Sequence, residues 1–218
     1  MDDVPRSSAR RAAGASFLAA GLVYLGGETV AARAWAAPAY SYARNWISDL
    51  GAPIVGMFHG RFVNSPLHAA MNAAFVADGL LFMLGALLLS WAAMIGRPRL
   101  FLTLALLHSA GMLLIALVPE TVPPPVGSLH ALGALLAIGG GNAAILLAGP
   151  RRIGLFLGFF GLASLAALTV PAVVAALGAG LIERLSVYPI TAWELIAGLW
   201  LLKPLFTGSV ARAAGAGR

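Results

Sequence analysis

The stretch LHAAMNAAFVADGLLFMLGALLLSWAAM, residues 67–94, decides the fold. Only Asp78 carries a charge in it, and as a helix its 28 residues would extend about 42 Å at 1.5 Å per residue. That exceeds the roughly 30 Å hydrocarbon core of a bilayer, so the segment reads as a membrane span. Gly96-Arg97-Pro98-Arg99 ends it, and a second uncharged run follows at 100–118. Two apolar runs joined by a short basic turn with a proline form an antiparallel helical hairpin. Working outward, comparable runs lie at 12–32, 129–148, 153–177 and 190–206. All are continuously rich in Leu, Ala and Gly, whereas barrel strands alternate apolar and polar positions. The expected fold class is all-α: a polytopic membrane protein of six transmembrane helices.

Composition agrees. Of 218 residues, 60% are hydrophobic and 10% charged, with a mean hydropathy of +0.89. Soluble enzymes, nucleic-acid-binding modules and disordered regulators do not have this balance. The net charge of +6 therefore speaks to orientation rather than to a nucleic-acid partner. Arg6, Arg10, Arg11, Arg97, Arg99, Arg151, Arg152, Lys203, Arg212 and Arg218 fall on one side of six spans, and Arg33, Arg44, Arg61 and Arg184 on the other. The positive-inside rule then puts both termini in the cytoplasm of a multi-pass cell-membrane protein. The expected organisation is a cytoplasmic tail over 1–11, a transmembrane domain over 12–207 with an outer loop at 33–66, and a disordered tail over 208–218. Arg10-Arg11 before an apolar stretch and Ala34-Trp35-Ala36 loosely imitate a cleavable secretory signal, but the apolar stretch is long for one and Glu28 interrupts its end. With no cysteine, disulfides, thiolate metal sites and cysteine nucleophiles are excluded.

The inner connections 96–99 and 149–152 are tight and basic, so the remaining polar residues fall to the outer loops. The longest, 33–66, carries Trp35, Tyr40, Tyr42 and Trp46, rings suited to the headgroup level. It is expected to lie on the membrane as an interfacial helix, with the segment 45–51 folded back onto the bundle. Gly154-Leu155-Phe156-Leu157-Gly158 has the small-xxx-small spacing of close helix packing, read here as packing within one chain.

Apart from Asp2 and Asp3, the acids are Glu28, Asp49, Asp78, Glu120, Glu183 and Glu194, nearly all placed by this topology toward the outer side. His59, His68 and His130 join them. Such one-sided clustering points to a polar site opening outward. Its candidate residues are Asn45, Ser48, Asp49, His68, Glu120, His130, Glu183, Arg184, Tyr188 and Trp193. Asp78 and His108 lie at comparable depth on the first hairpin and form a candidate intramembrane pair, either relaying a proton or locking two helices. Asn72 and Asn142 add amides facing the same interior. No HExxH or HxxxH pair occurs, so no metal ligands are assigned. Haem through His68, His108 or His130 is allowed by chemistry alone, and no cofactor is assigned.

The succession Asn45-Trp46-Ile47-Ser48-Asp49-Leu50-Gly51, Ser65-Pro66-Leu67, Val118-Pro119-Glu120, His130, and Gly180 through Glu183-Arg184, Tyr188 and Trp193 resembles the domain-of-unknown-function 998 family over about 17–203. The resemblance implies a multi-span prokaryotic membrane protein and brings no activity with it. A likeness to six-span ceramidase-like proteins concerns architecture alone, because the metal-binding histidine pair of that group is missing. The functional expectation is an outward-facing polar cavity that binds or acts on a lipid or another amphiphile. The alternatives are a non-enzymatic membrane component that stabilises a partner, with the polar residues as structural glue, and a small proton-coupled transporter resting on Asp78 and His108. Whether the protein is an enzyme, and whether it pairs with a protein partner or with itself as a homo-oligomer, stays open at this level.

Overall fold

The computed structural model describes residues 3–148 and 150–215, with side chains from 5 to 203 apart from 149. Among the described residues seven helices follow one another: α1 (Asp3–Ala34), α2 (His68–Trp91), α3 (Pro98–Leu117), α4 (Ser128–Ile145), α5 (Arg151–Ala167), α6 (Pro171–Leu177) and α7 (Ala179–Gly215). Between α1 and α2 lie a 3-10 turn (Ser48–Gly51) and a two-stranded hairpin, β1 (Val55–Phe58) and β2 (Arg61–Asn64). Successive long helices pack side by side from α1 to α5, and α7 closes the ring by packing on both α5 and α1. Among the described residues five helices are individually long and apolar enough to cross a membrane, or six spans if α5 and α6 count as one.

Two apolar clusters fill the bundle. One gathers Phe17, Phe82, Phe101 and Trp193, with Phe17 edge-on to both Phe82 and Trp193 at ring separations of 5.4 and 5.0 Å. The other, nearer the long loop, gathers Tyr24, Trp35, Ile47, Leu50, Met71 and Phe75. Helices approach closely where they carry glycine. Gly111 on α3 lies against the backbone of Gly133 and Ala137 on α4. Gly154 and Gly158 on α5 lie against the carbonyls of Ile145 and Asn142, so that small-residue stripe packs inside the chain.

Four details differ from the sequence expectation. The span expected over 153–177 is broken: α6 turns from α5 by 104°, because Val170 is extended (φ −105°, ψ 100°) ahead of Pro171, as the residue before a proline prefers. The last span begins at Ala179 rather than 190, since Glu183 and Arg184 find partners and need no aqueous loop. The outer loop is no interfacial helix; Pro38, Pro53 and the glycines interrupt it. His59 (φ 45°) and Gly60 (φ 77°) instead make a two-residue turn with both residues left-handed, the geometry that matches strand twist in a hairpin, and Phe58 pairs with Arg61 across it. Finally, α1 takes in most of the expected tail 1–11. Its Arg10 lies over the Trp200 ring of α7 at 5.5 Å. The expectation for 208–218 falls outside the residues whose side chains are described.

Candidate functional site

The loop is fastened before any site can form, and α7 does the fastening. Arg184 donates through Nε to Glu28 Oε1 (3.0 Å) and through Nη1 to the carbonyls of Tyr42, Asn45 and Gly180 (2.8, 3.0 and 3.1 Å). Its Nη2 donates to the Tyr40 hydroxyl, which itself donates to the Trp46 carbonyl at 2.9 Å. Tyr188 donates to Glu28, and Glu183 accepts from the backbone N–H of Ile47. Glu183 and Arg184 thus serve different partners rather than pairing with each other. Burial raises the Tyr40 pKa, with Arg184 opposing, so the phenol stays protonated. At Gly180 a Cβ would meet the Asn45 carbonyl at 2.1 Å, so only glycine lets the loop backbone come this close.

The fastened loop presents a second cluster. Arg61 on β2 donates to Asp49 Oδ1 and to Glu120 Oε2, both at 2.7 Å. Asp49 is buried and accepts from the Trp46 N–H at 2.9 Å, while Ser48 Oγ donates to Glu120 at 3.3 Å. Burial pulls the Arg61 pKa down, and the carboxylates of Glu120 and Asp49 more than offset it, leaving it above its ordinary value. Glu120 is pushed up to about 8, first by burial and then by Asp49, with Arg61 opposing. Its Oε1 is buried without a hydrogen-bond partner.

This cluster walls a chamber of about 550 Å³. Its lining combines Trp46, His59, Arg61 and Glu120 with Leu135 of α4, Leu165 of α5 and Leu168 just after it. Beneath it lies a smaller cavity of about 40 Å³, room for about three waters. Ser48, His130 and Glu183 line both spaces. His130 donates from Nδ1 to the Val118 carbonyl (2.8 Å), because a carbonyl can only accept; Nε2 is then the nitrogen left for the cavity.

Asp78, His108 and Glu194 line the smaller cavity, and all three are buried. His108 Nε2 lies 3.5 Å from Asp78 Oδ2. Its Nδ1 lies 2.7 Å from the Ala137 carbonyl, which fixes the ring and directs Nε2 at the acids. One candidate ligand atom from each residue falls within 4.8 Å of the others. Two acids and an imidazole at this spacing can share a proton or hold a cation.

The sequence-derived candidates separate accordingly. Asn45, Ser48, Asp49, Glu120, Glu183 and Arg184 belong to the loop and chamber, and His130 to the boundary between the two spaces. Tyr188 supports Glu28 and the loop. His68 is not part of this group: its Nδ1 bonds the Ser65 carbonyl at the start of α2 (3.1 Å). Trp193 is likewise not at an outer rim. It is fully buried in the bundle core and donates to the Ala148 carbonyl at 3.2 Å, because α7 starts eleven residues early and carries it deeper. Asn72 ties the Gly51 carbonyl to α2 (3.0 Å), and Asn142 ties α4 to the Ser186 carbonyl of α7 (2.8 Å). Sequence reasoning missed Arg61, Glu28 and Glu194 as site members. For Glu194 the clue was present: an acid within an otherwise apolar run next to Trp193.

No curated protein matches the chain, and no solved structure does. The family described as "Protein of unknown function (DUF998)" matches residues 17–200. A match over most of its length means that this multi-span helical membrane protein belongs to the DUF998 family.

Proposed function

We propose that the protein engages the polar headgroup of a lipid or another amphiphile, which enters its chamber sideways from the outer leaflet. The observation that carries this reading is the mixed lining of the chamber. Arg61, Glu120 and His59 offer hydrogen-bonding groups to it, while Leu135, Leu165 and Leu168 offer apolar surface. Leu135 is 56% exposed on a helix long and apolar enough to cross a membrane, where an acyl chain can reach it. An amphiphile matches both kinds of lining at once. The outward orientation rests on the positive-inside rule applied to the sequence, with ten basic residues on one side of the spans against four on the other.

The test is photocrosslinking in nanodiscs with a phospholipid bearing a diazirine on its acyl chain. Crosslinks concentrated on 131–138 and 161–169, and reduced by Arg61→Ala, support the reading. Crosslinks spread evenly over all lipid-facing helices would defeat it.

A further inference from the structure

We infer that Asp78, His108 and Glu194 form a binding site for one divalent first-row transition cation of the zinc class, with its open coordination position turned toward the inner cavity. This goes beyond the amphiphile reading and does not depend on it.

The argument begins with what is missing between the three side chains. No neighbouring N–H or O–H donates to His108 Nε2 or to either Glu194 oxygen, and the side chain within hydrogen-bond reach of Glu194 is itself a carboxyl, that of Asp78. Glu194 is 0% exposed, His108 and Asp78 2% each. Because Nδ1 gives its proton to the Ala137 carbonyl, the neutral ring turns the Nε2 lone pair toward Asp78 and Glu194. Lone pairs facing carboxylate oxygens repel unless something positive stands between them. Among the described residues no Lys or Arg lines the cavity, so that charge must come from a bound proton or a bound metal.

The spacing between His108 and Asp78 suits a metal. The 3.5 Å between His108 Nε2 and Asp78 Oδ2 is long for a charge-assisted hydrogen bond, which runs at about 2.7–2.9 Å. Two ligands of one tetrahedral zinc ion, each bonded at about 2.0–2.1 Å, stand roughly 3.3 Å apart. With one ligand atom from each residue inside 4.8 Å, small side-chain movements close the set. Charge balance agrees: two carboxylates and a neutral imidazole around a dication sum to zero, the cheapest total for a site within the bilayer. An imidazole in the set favours zinc-class ions over Mg²⁺ and Ca²⁺, which prefer oxygen alone. The hydrogen bond from Nδ1 to a backbone carbonyl is the outer support that metal-bound histidines use. Three protein ligands and an adjoining space for about three waters describe an open site.

The experiment uses the full chain purified in detergent, stripped with chelator, incubated with Zn²⁺ or Co²⁺ and desalted. Metal is counted by mass spectrometry, and the Co²⁺ form is read by its visible ligand-field bands. The expected result is a single equivalent per chain, with four-coordinate Co²⁺ bands. Glu194→Gln and Asp78→Asn should each weaken binding by about 100-fold or more, beyond the 10–100-fold of outer-support changes, while Glu120→Gln in the chamber leaves it unchanged. Should the first two variants fail to fold, the stripped wild-type protein supplies the test: Zn²⁺ should raise its Tm, as a ligand that binds only the folded state must. No stoichiometric metal and no Tm response in the wild type would overturn the inference and leave a shared proton as the positive charge. Undiminished binding in folded Glu194→Gln and Asp78→Asn would overturn it equally.

Discussion

Arg184 on α7 and Glu28 on α1, 156 positions apart in the chain, meet at 2.9 Å with side chains 4% and 2% exposed. A buried ion pair on its own is weak evidence of stability, because desolvation consumes most of its Coulomb energy. Here the guanidinium also satisfies three backbone carbonyls and a tyrosine hydroxyl. It thereby connects two spans and the long loop at one point.

Removing that guanidinium should be costly. Arg184→Met strands a buried Glu28 and three carbonyls, and the expected loss is about 3–5 kcal/mol. Glu28→Gln should cost less, since the amide oxygen can still accept from Nε. Thermal unfolding in detergent reads the difference. Limited proteolysis should show cleavage within 35–47 in Arg184→Met before global unfolding. Equal stability of the two variants would contradict this ranking.

The Glu120 carboxyl sets a pH dependence. Its folded pKa, about 8, lies above its ordinary value, so the folded state holds a proton that the unfolded state has released across that interval. Its contribution to stability is fully present below about 4.5 and is lost as pH rises through about 8. Unfolding midpoints should fall across this window in the wild-type protein. Glu120→Gln, which cannot titrate, should flatten the slope, and an unchanged slope would locate the effect elsewhere.

How far the sequence alone reaches is visible in particular residues. Asp78 and His108 were placed together by depth, because helical rise converts residue number to distance within a span. The retention of 45–51 against the bundle also followed from local chemistry, in its interleaved polar and apolar residues. Glu194 was missed because the start of α7 was misjudged. A charged pair, Glu183-Arg184, signals a loop by composition, and only tertiary partners 136 and 156 residues away explain its burial. Arg61 was hidden for a similar reason. The positive-φ turn at His59-Gly60 that aims it at Asp49 and Glu120 begins with histidine, a poor advertisement for that geometry.

Glycine positions allow a paired comparison. A Cβ on Gly111 would lie 2.3 Å from the Ala137 amide nitrogen and 2.5 Å from the Gly133 carbonyl. Backbone cannot swing aside as a side chain can, so α3 and α4 must separate. Gly111→Ala should cost at least about 1–3 kcal/mol and disturb His108, one turn away, through its bond to Ala137. On α1, Gly26 has nothing within 4 Å, and Gly26→Ala should be neutral or stabilising by up to about 1 kcal/mol. Melting temperatures of the two variants check the contrast.

Orientation is open to direct measurement. Reporter fusions ending at Arg99 and at His59 should read cytoplasmic and external respectively, as the distribution of basic residues requires. The reverse pattern would turn the chamber toward the inner leaflet and remove the outer-leaflet entry proposed for the amphiphile.

The buried trio gives the most discriminating substitution series. If Asp78 and His108 formed an isolated pair, replacing both by leucine would remove the two polar groups together and recover much of the stability lost in either single variant. Glu194 changes that expectation. With its neighbours gone it remains fully buried without a donor, and it must take up a proton or unfold its surroundings. Asp78→Leu with His108→Leu should therefore stay destabilised, by about 1–3 kcal/mol for the neutralised but unsatisfied carboxyl. Adding Glu194→Leu should recover that loss, because no polar group of the trio is then left unpaired. Unfolding midpoints in one detergent decide between the cases. A double variant as stable as the triple would mean that Glu194 stands apart energetically from the other two, and the cluster would reduce to a pair.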